Sequence, residues 1–313
     1  FMGFSVISII NSLLSEYILI SNTKSEVVDI MCFNYNALQE HIEKIEESFD
    51  FVSISSIGKS WCKRNIYSLS IGEGESSVLF LSDFSDTAGI TSEILLTFFE
   101  RLCIAYKNDL KISAVKIRSI LRDQKIVIVP ITNPDGLEIS YSNGENALCY
   151  KGLVQRAADN NFTKWISNAR GVEIGKNFPY RFSDAQSTVI KPYAFGYKGP
   201  SETSEPETKA IVSFCKDICP KYAITLSCSG EYISCQCSKC ASDCAMMTQV
   251  FKSVSGLPIK RIKPCEAYGS FGGWFAKSFS APSFCFSVSK RSVADLKSLY
   301  DKYEELLLLS SIM

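Results

Sequence analysis

Residues 78–106 read VLFLSDFSDTAGITSEILLTFFERLCIAY. The first five, Val78 to Ser82, form a short apolar run of the kind found in strands buried on both faces. Residues 92–106 return to apolar side chains at the spacing of a helix. Further apolar runs follow at 126–131 (IVIVPI) and 222–227 (YAITLS). Strand, helix and strand in alternation predict an α/β fold, a sheet covered by helices on both faces.

The flanking sequence extends the pattern. Leu38, Ile42, Ile45 and Phe49 recur at i, i+4, i+7 and i+11, which predicts a helix over 36–49. Residues 51–57 and 64–71 read as strands joined by a turn at Gly58–Cys62. Residues 109–122 read as a helix. So do residues 205–219, with Ser204 as N-cap and Pro206 at an early position. Residues 243–255 form a further helix, 283–288 a strand, and 293–309 a closing helix. The stretch from about 140 to 200 reads as a long loop rich in Asn, Gly, Tyr and Ser, and such loops usually carry function. No repeat, low-complexity tract or linker interrupts the chain, so residues 31–313 read as a single domain.

Composition narrows the function. The 313 residues carry 33 basic and 33 acidic side chains, a net charge of zero, which argues against nucleic acid as a partner. The single histidine, His41, excludes a multi-histidine metal site. It is also the only histidine available for a Ser-His or Cys-His pair, and its place beside Glu40 and Glu43 reads as a solvated helix face. Thirteen cysteines, an odd count, favour a reducing, cytoplasmic compartment. The apolar stretch 3–20 points instead to a secreted or membrane-associated protein. Asn11, Ser12, Ser15 and Glu16 interrupt it and it lacks a basic leader, so residues 1–30 read as an N-terminal helix or signal-like segment, with no transmembrane anchor.

Six strings, in order, carry a family resemblance: SISSIGKSWCKRNIYSLSIG at 53–72, VPITNPDGLEIS at 129–140, NARGVEIGKNFPY at 168–180, YKGPSETSEPETKAI at 197–211, LSCSGEYI at 226–233 and GSFGGWFAKSFSAPSFCFSV at 269–288. Together they resemble the M14 zinc carboxypeptidases, and within them the bacterial γ-D-glutamyl-diamino-acid peptidase branch. The resemblance implies a mixed, mostly parallel eight-stranded sheet with a groove at the carboxyl ends of its central strands. It also implies a zinc held by two histidines and a glutamate, with a second glutamate as general base. An arginine and a mobile tyrosine would hold the substrate carboxylate.

Carried over position by position, the catalytic set is absent. Ser85 stands at the first ligand position, Ala88 at the second and Ser227 at the third, and Ser287 stands where the general base belongs. Hydroxyls and alanine do not provide the thiolate, imidazole or carboxylate donors that zinc sites use. The substrate string reads Glu173-Ile174-Gly175-Lys176-Asn177-Phe178, with Lys176 in place of the arginine, which keeps the charge and loses the two-pronged grip. Gly273 replaces an aspartate before Trp274. Lys176, Asn177 and Tyr268 are the candidate binding residues, and Arg170 is either a carboxylate-binding arginine or a surface residue.

The expectation is therefore an inactive relative, a pseudoenzyme without zinc or another cofactor, whose groove holds a peptide or a peptidoglycan stem peptide. The competing reading is a structural protein, partnered with an active relative or another protein, whose groove is vestigial or filled by Phe271, Phe275, Phe284 and Phe286; on the bland view these are core. A functional zinc peptidase is what a family label alone suggests. A re-purposed hydrolase on Ser227 or Cys228 would need a base such as Lys176. Cys235, Cys237, Cys240 and Cys244 form a separate C-x-C-x2-C-x3-C cluster, which reads as a cysteine-rich loop, a structural metal site or a redox site.

Overall fold

The first helix, α1 (Tyr35–Ser48), opens with Asn34, whose side chain accepts a hydrogen bond from the Ala37 amide, and it buries Leu38, Ile42 and Ile45. This computed structural model describes residues 33–159, 161–238, 241–288 and 296–313. The apolar segment 1–30 lies outside the described residues. Residues from Cys32 to Met313 form one compact unit.

After α1 come β1 (Ser53–Lys59), β2 (Asn65–Ile71), β3 (Ser76–Leu81) and α2 (Ile90–Lys107). Residues 109–122, expected as a helix, instead hold a two-residue hairpin, β4 (Lys111–Ile112) and β5 (Val115–Lys116), before α3 (Ile117–Asp123). The cause is local. Ser113 and Ala114 take positive φ and form the hairpin turn, while the flanking polar and β-branched residues alternate with period two. Next are β6 (Gln124–Val129), α4 (Pro134–Tyr141) and α5 (Lys151–Ala158). Asn133 caps α4 by accepting from the Gly136 amide, so the NPDG turn is a helix start. The stretch read as a long loop thus contains α5 and several single 3-10 turns, gathered on a small core with Trp165 fully buried.

The chain ends with α6 (Pro206–Ile218), β7 (Tyr222–Ser227), β8 (Tyr232–Gln236), α7 (Ala241–Ser255), α8 (Phe271–Phe279), β9 (Ser283–Ser287) and α9 (Leu296–Leu309). Glu205, not Ser204, is the N-cap of α6; the Ser204 hydroxyl donates to Glu205 Oε1 at 2.8 Å.

Among the described residues the central sheet has seven strands, in the order β1-β2-β6-β3-β7-β9-β8, where the resemblance implies eight. The inner four, β6, β3, β7 and β9, are parallel; β1, β2 and β8 run antiparallel to their neighbours. Alternate residues serve opposite faces. Val78 and Phe80 join the core under α1, α2 and α9, while Leu79 and Leu81 join the core under α6 and α8. Burying each such side chain contributes about 1.5–3 kcal/mol. The chain runs from β3 to one side, toward β6, and from β7 to the other, toward β9. The carboxyl ends of β3 and β7 therefore diverge at a switch point, the place where open α/β sheets form ligand crevices.

Candidate functional site

At that switch point the loop after β3 meets the end of β7. Asp83 Oδ2 accepts from Ser227 Oγ at 2.9 Å and from the Cys228 amide at 3.2 Å, and Asp83 Oδ1 accepts from the Ser85 amide at 2.9 Å. Burial pushes the Asp83 carboxyl above its ordinary range; these three hydrogen bonds work the other way. The network continues outward. Ser227 Oγ and Ser229 Oγ are 3.0 Å apart, Ser229 Oγ and Ser287 Oγ 3.2 Å, and Ser229 Oγ and the Tyr232 hydroxyl 2.7 Å. The Ser229 amide donates to Ser287 Oγ at 3.1 Å.

Beside this network lies a cavity of about 470 Å³ lined by residues from β7, β8, β9, the start of α8 and the 173–198 stretch. Asp83, Ser227, Gln236, Tyr268 and Cys285 all contribute to its wall. Burial first, and the nearby Asp83 second, push the Cys285 thiol up to about 12, so it is a neutral thiol at ordinary pH. Phe271 and Phe284 form part of the wall, and Phe275 and Phe286 sit in the two cores. Phe271 and Phe284 bound the cavity without filling it.

The sequence-predicted residues divide. Ser85 and Ser227 reach the cavity, and Ser287 belongs to the hydroxyl network. Ala88 is exposed, its amide donating to Asp86 Oδ1 at 3.1 Å. Lys176 lines the cavity, ion-paired with Glu173 at 2.9 Å. Tyr268 lines it too, beneath the Arg181 guanidinium 4.2 Å above its ring. Asn177 does not face the cavity. It is fully buried, and its side chain bonds Lys198 O, Ser201 O, Ser204 Oγ and the Glu205 amide. It braces the chain around Gly199, where an added Cβ would come within 2.7 Å of Asn177 Nδ2. Arg170 is also not in the cavity wall; its guanidinium lies 4.8 Å above Trp61.

The cysteine cluster is partly assembled. The Cys244 thiol is pushed up first by its hydrogen bond with Cys235 and then by burial, and Cys237 adds a smaller opposing hydrogen bond. Cys240 lies outside the described residues. Among those described, no group of three or more His, Cys, Asp or Glu is placed to hold a metal ion.

Sequence reasoning missed Asp83, Ser229, Gln236 and Cys285. The position of Asp83, two residues past an apolar strand and two before Ser85, was the available signal. Gln236 and Cys285 gave none, because a residue's place on a cavity wall depends on strand pairing. The donor set does not fit a zinc site of two imidazoles and a carboxylate. The hydroxyls of Ser227 and Ser287 are engaged with Asp83 and Ser229. His41, the one histidine, lies on α1 with Nε2 3.2 Å from Glu100.

A doubly covered, mostly parallel sheet with a cavity at its switch point defines an α/β protein with a candidate ligand crevice. A family model described as zinc carboxypeptidase, peptidase M14, matches residues 38–275, and the chain belongs to that family. The uncharacterized protein YqgT of Bacillus subtilis (strain 168) is 25% identical over 267 residues, covering 82% of this chain and 70% of its own length. The γ-D-glutamyl-L-diamino acid endopeptidase 1 of Lysinibacillus sphaericus is 22% identical over 256 residues, covering 80% of this chain; the chain spans 64% of that relative. Among solved structures, bovine thrombin-activatable fibrinolysis inhibitor in complex with tick carboxypeptidase inhibitor shares the fold with a TM-score of 0.70 at 16% identity, over 90% of this chain and 96% of that one. Murein-tripeptide amidase MpaA from Escherichia coli O157 does so with a TM-score of 0.51 at 19% identity, over 82% and 92%.

Proposed function

We propose that this chain is a member of the zinc carboxypeptidase family that has lost catalysis and keeps its groove as a peptide-binding site. One observation carries the reading: Ser227 and Ser287 spend their hydroxyls on Asp83 and Ser229, beside a cavity that is open. Zinc chemistry needs donors that bind the ion and a base that takes a proton from its water. Serine at 85, 227 and 287 and alanine at 88 provide neither. The cavity wall, by contrast, has the size and mixed lining of a ligand site.

The peptide class follows from the relatives. One is named for cleavage at a γ-D-glutamyl-diamino-acid bond and one fold neighbour for a murein tripeptide. The open cavity weighs against a vestigial, filled groove. A hydrolase based on Lys176 is disfavoured by its pairing with Glu173. The test is to incubate the purified chain with L-alanyl-γ-D-glutamyl-diaminopimelic acid and with added zinc, following binding by calorimetry and released amine by fluorescence. The reading predicts binding without hydrolysis. Hydrolysis abolished by a zinc chelator would overturn it, and turnover abolished by Ser227→Ala would favour a re-purposed hydrolase.

A further inference from the structure

We propose that Cys235 and Cys244 are a reversible disulfide pair, closed by a low-molecular-weight disulfide, which fastens one wall of the cavity to the helix behind it. The proposal is independent of what the groove binds.

The strand and the helix each place one thiol in the same layer. Side chains alternate along β8. Ser234 and Gln236 line the cavity, so Ile233 and Cys235 face the other side of the sheet. There Ile233 and Cys235 pair in register with Phe286 and Phe284, whose rings meet Phe251 of α7 at 5.2 and 5.1 Å between centroids. Cys235 packs on this core. On α7, Cys244, Met247, Thr248 and Phe251 are buried at i, i+3, i+4 and i+7, the stripe that a helix turns toward its sheet. Cys244 thus enters from the helix the layer that Cys235 enters from the strand, and the two thiols are hydrogen-bonded. Cys237, just past the strand, makes a second hydrogen bond with Cys244.

All three are thiols in this structure. Among the described residues no three His, Cys, Asp or Glu are placed to hold a metal ion, which leaves the chemistry of one sulfur with another. Exposure separates the roles. Cys235 is half-buried and within reach of a small disulfide, whereas Cys244 is buried. In the first step the Cys235 thiolate attacks one sulfur of a disulfide RSSR; a mixed disulfide forms on Cys235 and one thiolate RS⁻ leaves. In the second, Cys244 gives its proton to solvent and its sulfur attacks Cys235 Sγ; the Cys235–Cys244 bond forms and the second RS⁻ leaves. Two protein thiols are oxidised, two electrons pass to RSSR, and the two thiolates released take up the two protons. Among the described residues β8 is the last strand of the sheet, laddered to β9 on one side. A covalent tie to α7 closes the stretch 235–244 and restrains local opening of the strand that carries Ser234 and Gln236.

The test incubates the reduced full chain with glutathione disulfide, alkylates the remaining thiols and maps the product by mass spectrometry, beside single serine variants at 235, 237, 240 and 244. The expected product has a Cys235–Cys244 cross-link that dithiothreitol reverses. The cross-link should persist in Cys237→Ser and Cys240→Ser and vanish in Cys235→Ser and Cys244→Ser. Hydrogen exchange of the β8 amides should slow about tenfold on oxidation. If Cys244→Ser does not fold, Cys235→Ser, at the more exposed position, carries the test. No cross-link, a glutathione adduct alone, or a link made through Cys237 or Cys240 in the parent chain would overturn the pair. A cross-link that leaves β8 exchange unchanged would overturn the fastening.

Discussion

Glu207, in the first turn of α6, is fully buried, and its Oε1 has no hydrogen-bond partner. Its Oε2 accepts from Asn168 at 3.2 Å, and the same amide donates to Glu205 at 2.8 Å. Burial, with Asp135 nearby, pushes the Glu207 carboxyl up to about 8. In the unfolded chain it titrates near 4.5. The folded state therefore holds the proton more tightly. The stabilisation is fully present below about pH 4.5 and is lost as pH rises through about 8. Stability should fall by a few kcal/mol across that window, as an order of magnitude. In Glu207→Gln, which mimics the protonated form, the slope should flatten; urea midpoints against pH check this, and parallel curves for both proteins would contradict it. Asp135 is a second buried acid that shapes the scaffold. It accepts from Ser60 Oγ at 2.7 Å, the Cys62 amide at 2.9 Å and Arg64 Nη1 at 2.8 Å, tying the β1–β2 turn to α4. Asp135→Ala leaves Arg64 with Glu138 Oε2 at 3.9 Å as its carboxylate and strips the Ser60 hydroxyl and Cys62 amide of their acceptor, and should lose about 3–5 kcal/mol, read by chemical denaturation. Residue types alone revealed neither role, because burial of a carboxylate depends on what packs over it.

Within elements, α8 explains a departure from the family pattern. At Gly273, where the resemblance expects aspartate, a Cβ would lie 2.4 Å from the Ala267 carbonyl oxygen and 2.6 Å from Tyr180 Cδ1. The helix packs too closely on the 264–267 turn for a side chain there. Gly273→Ala should lose about 2 kcal/mol despite the better helix propensity of alanine, and Gly273→Asp more, both measured as shifts in the urea midpoint. An alanine variant as stable as the parent would contradict this packing. Elements with a strong period were legible in the sequence: α1, α2, α6, and the apolar strands β3, β6 and β7 fall where the spacing placed them. Short elements were not. β8 carries no strand signal of its own, since its residues, Tyr-Ile-Ser-Cys-Gln, acquire strand character only by pairing antiparallel with β9. The β4–β5 hairpin was hidden for a related reason. Its few alternating residues sit between two helices and look like a continuation of either.

For the molecule as a whole, sequence order gave the architecture and the strings gave the family, since both depend on local patterns repeated along the chain. The cavity wall was legible only in part. Lys176, Tyr268, Ser85 and Ser227 reach the cavity, whereas Arg170 and Asn177 serve the scaffold around it. The difference arises because the same string contains side chains that point into the groove and side chains that hold the loop together. No helix among the described residues is long and apolar enough to cross a membrane. On the proposed reading, the switch-point hydrogen bonds of Asp83, Ser227, Ser229 and Ser287 stand where the family holds a metal. The most direct test of that reading is elemental analysis of the full chain after exposure to zinc and exhaustive dialysis, beside Ser227→Ala and a Cys235→Ser/Cys244→Ser variant. The account predicts no stoichiometric zinc dependent on Ser227; zinc lost only in the cysteine variant would place a metal in that cluster and leave the groove without one. One equivalent of zinc that persists in the cysteine variant and is lost in Ser227→Ala would contradict it.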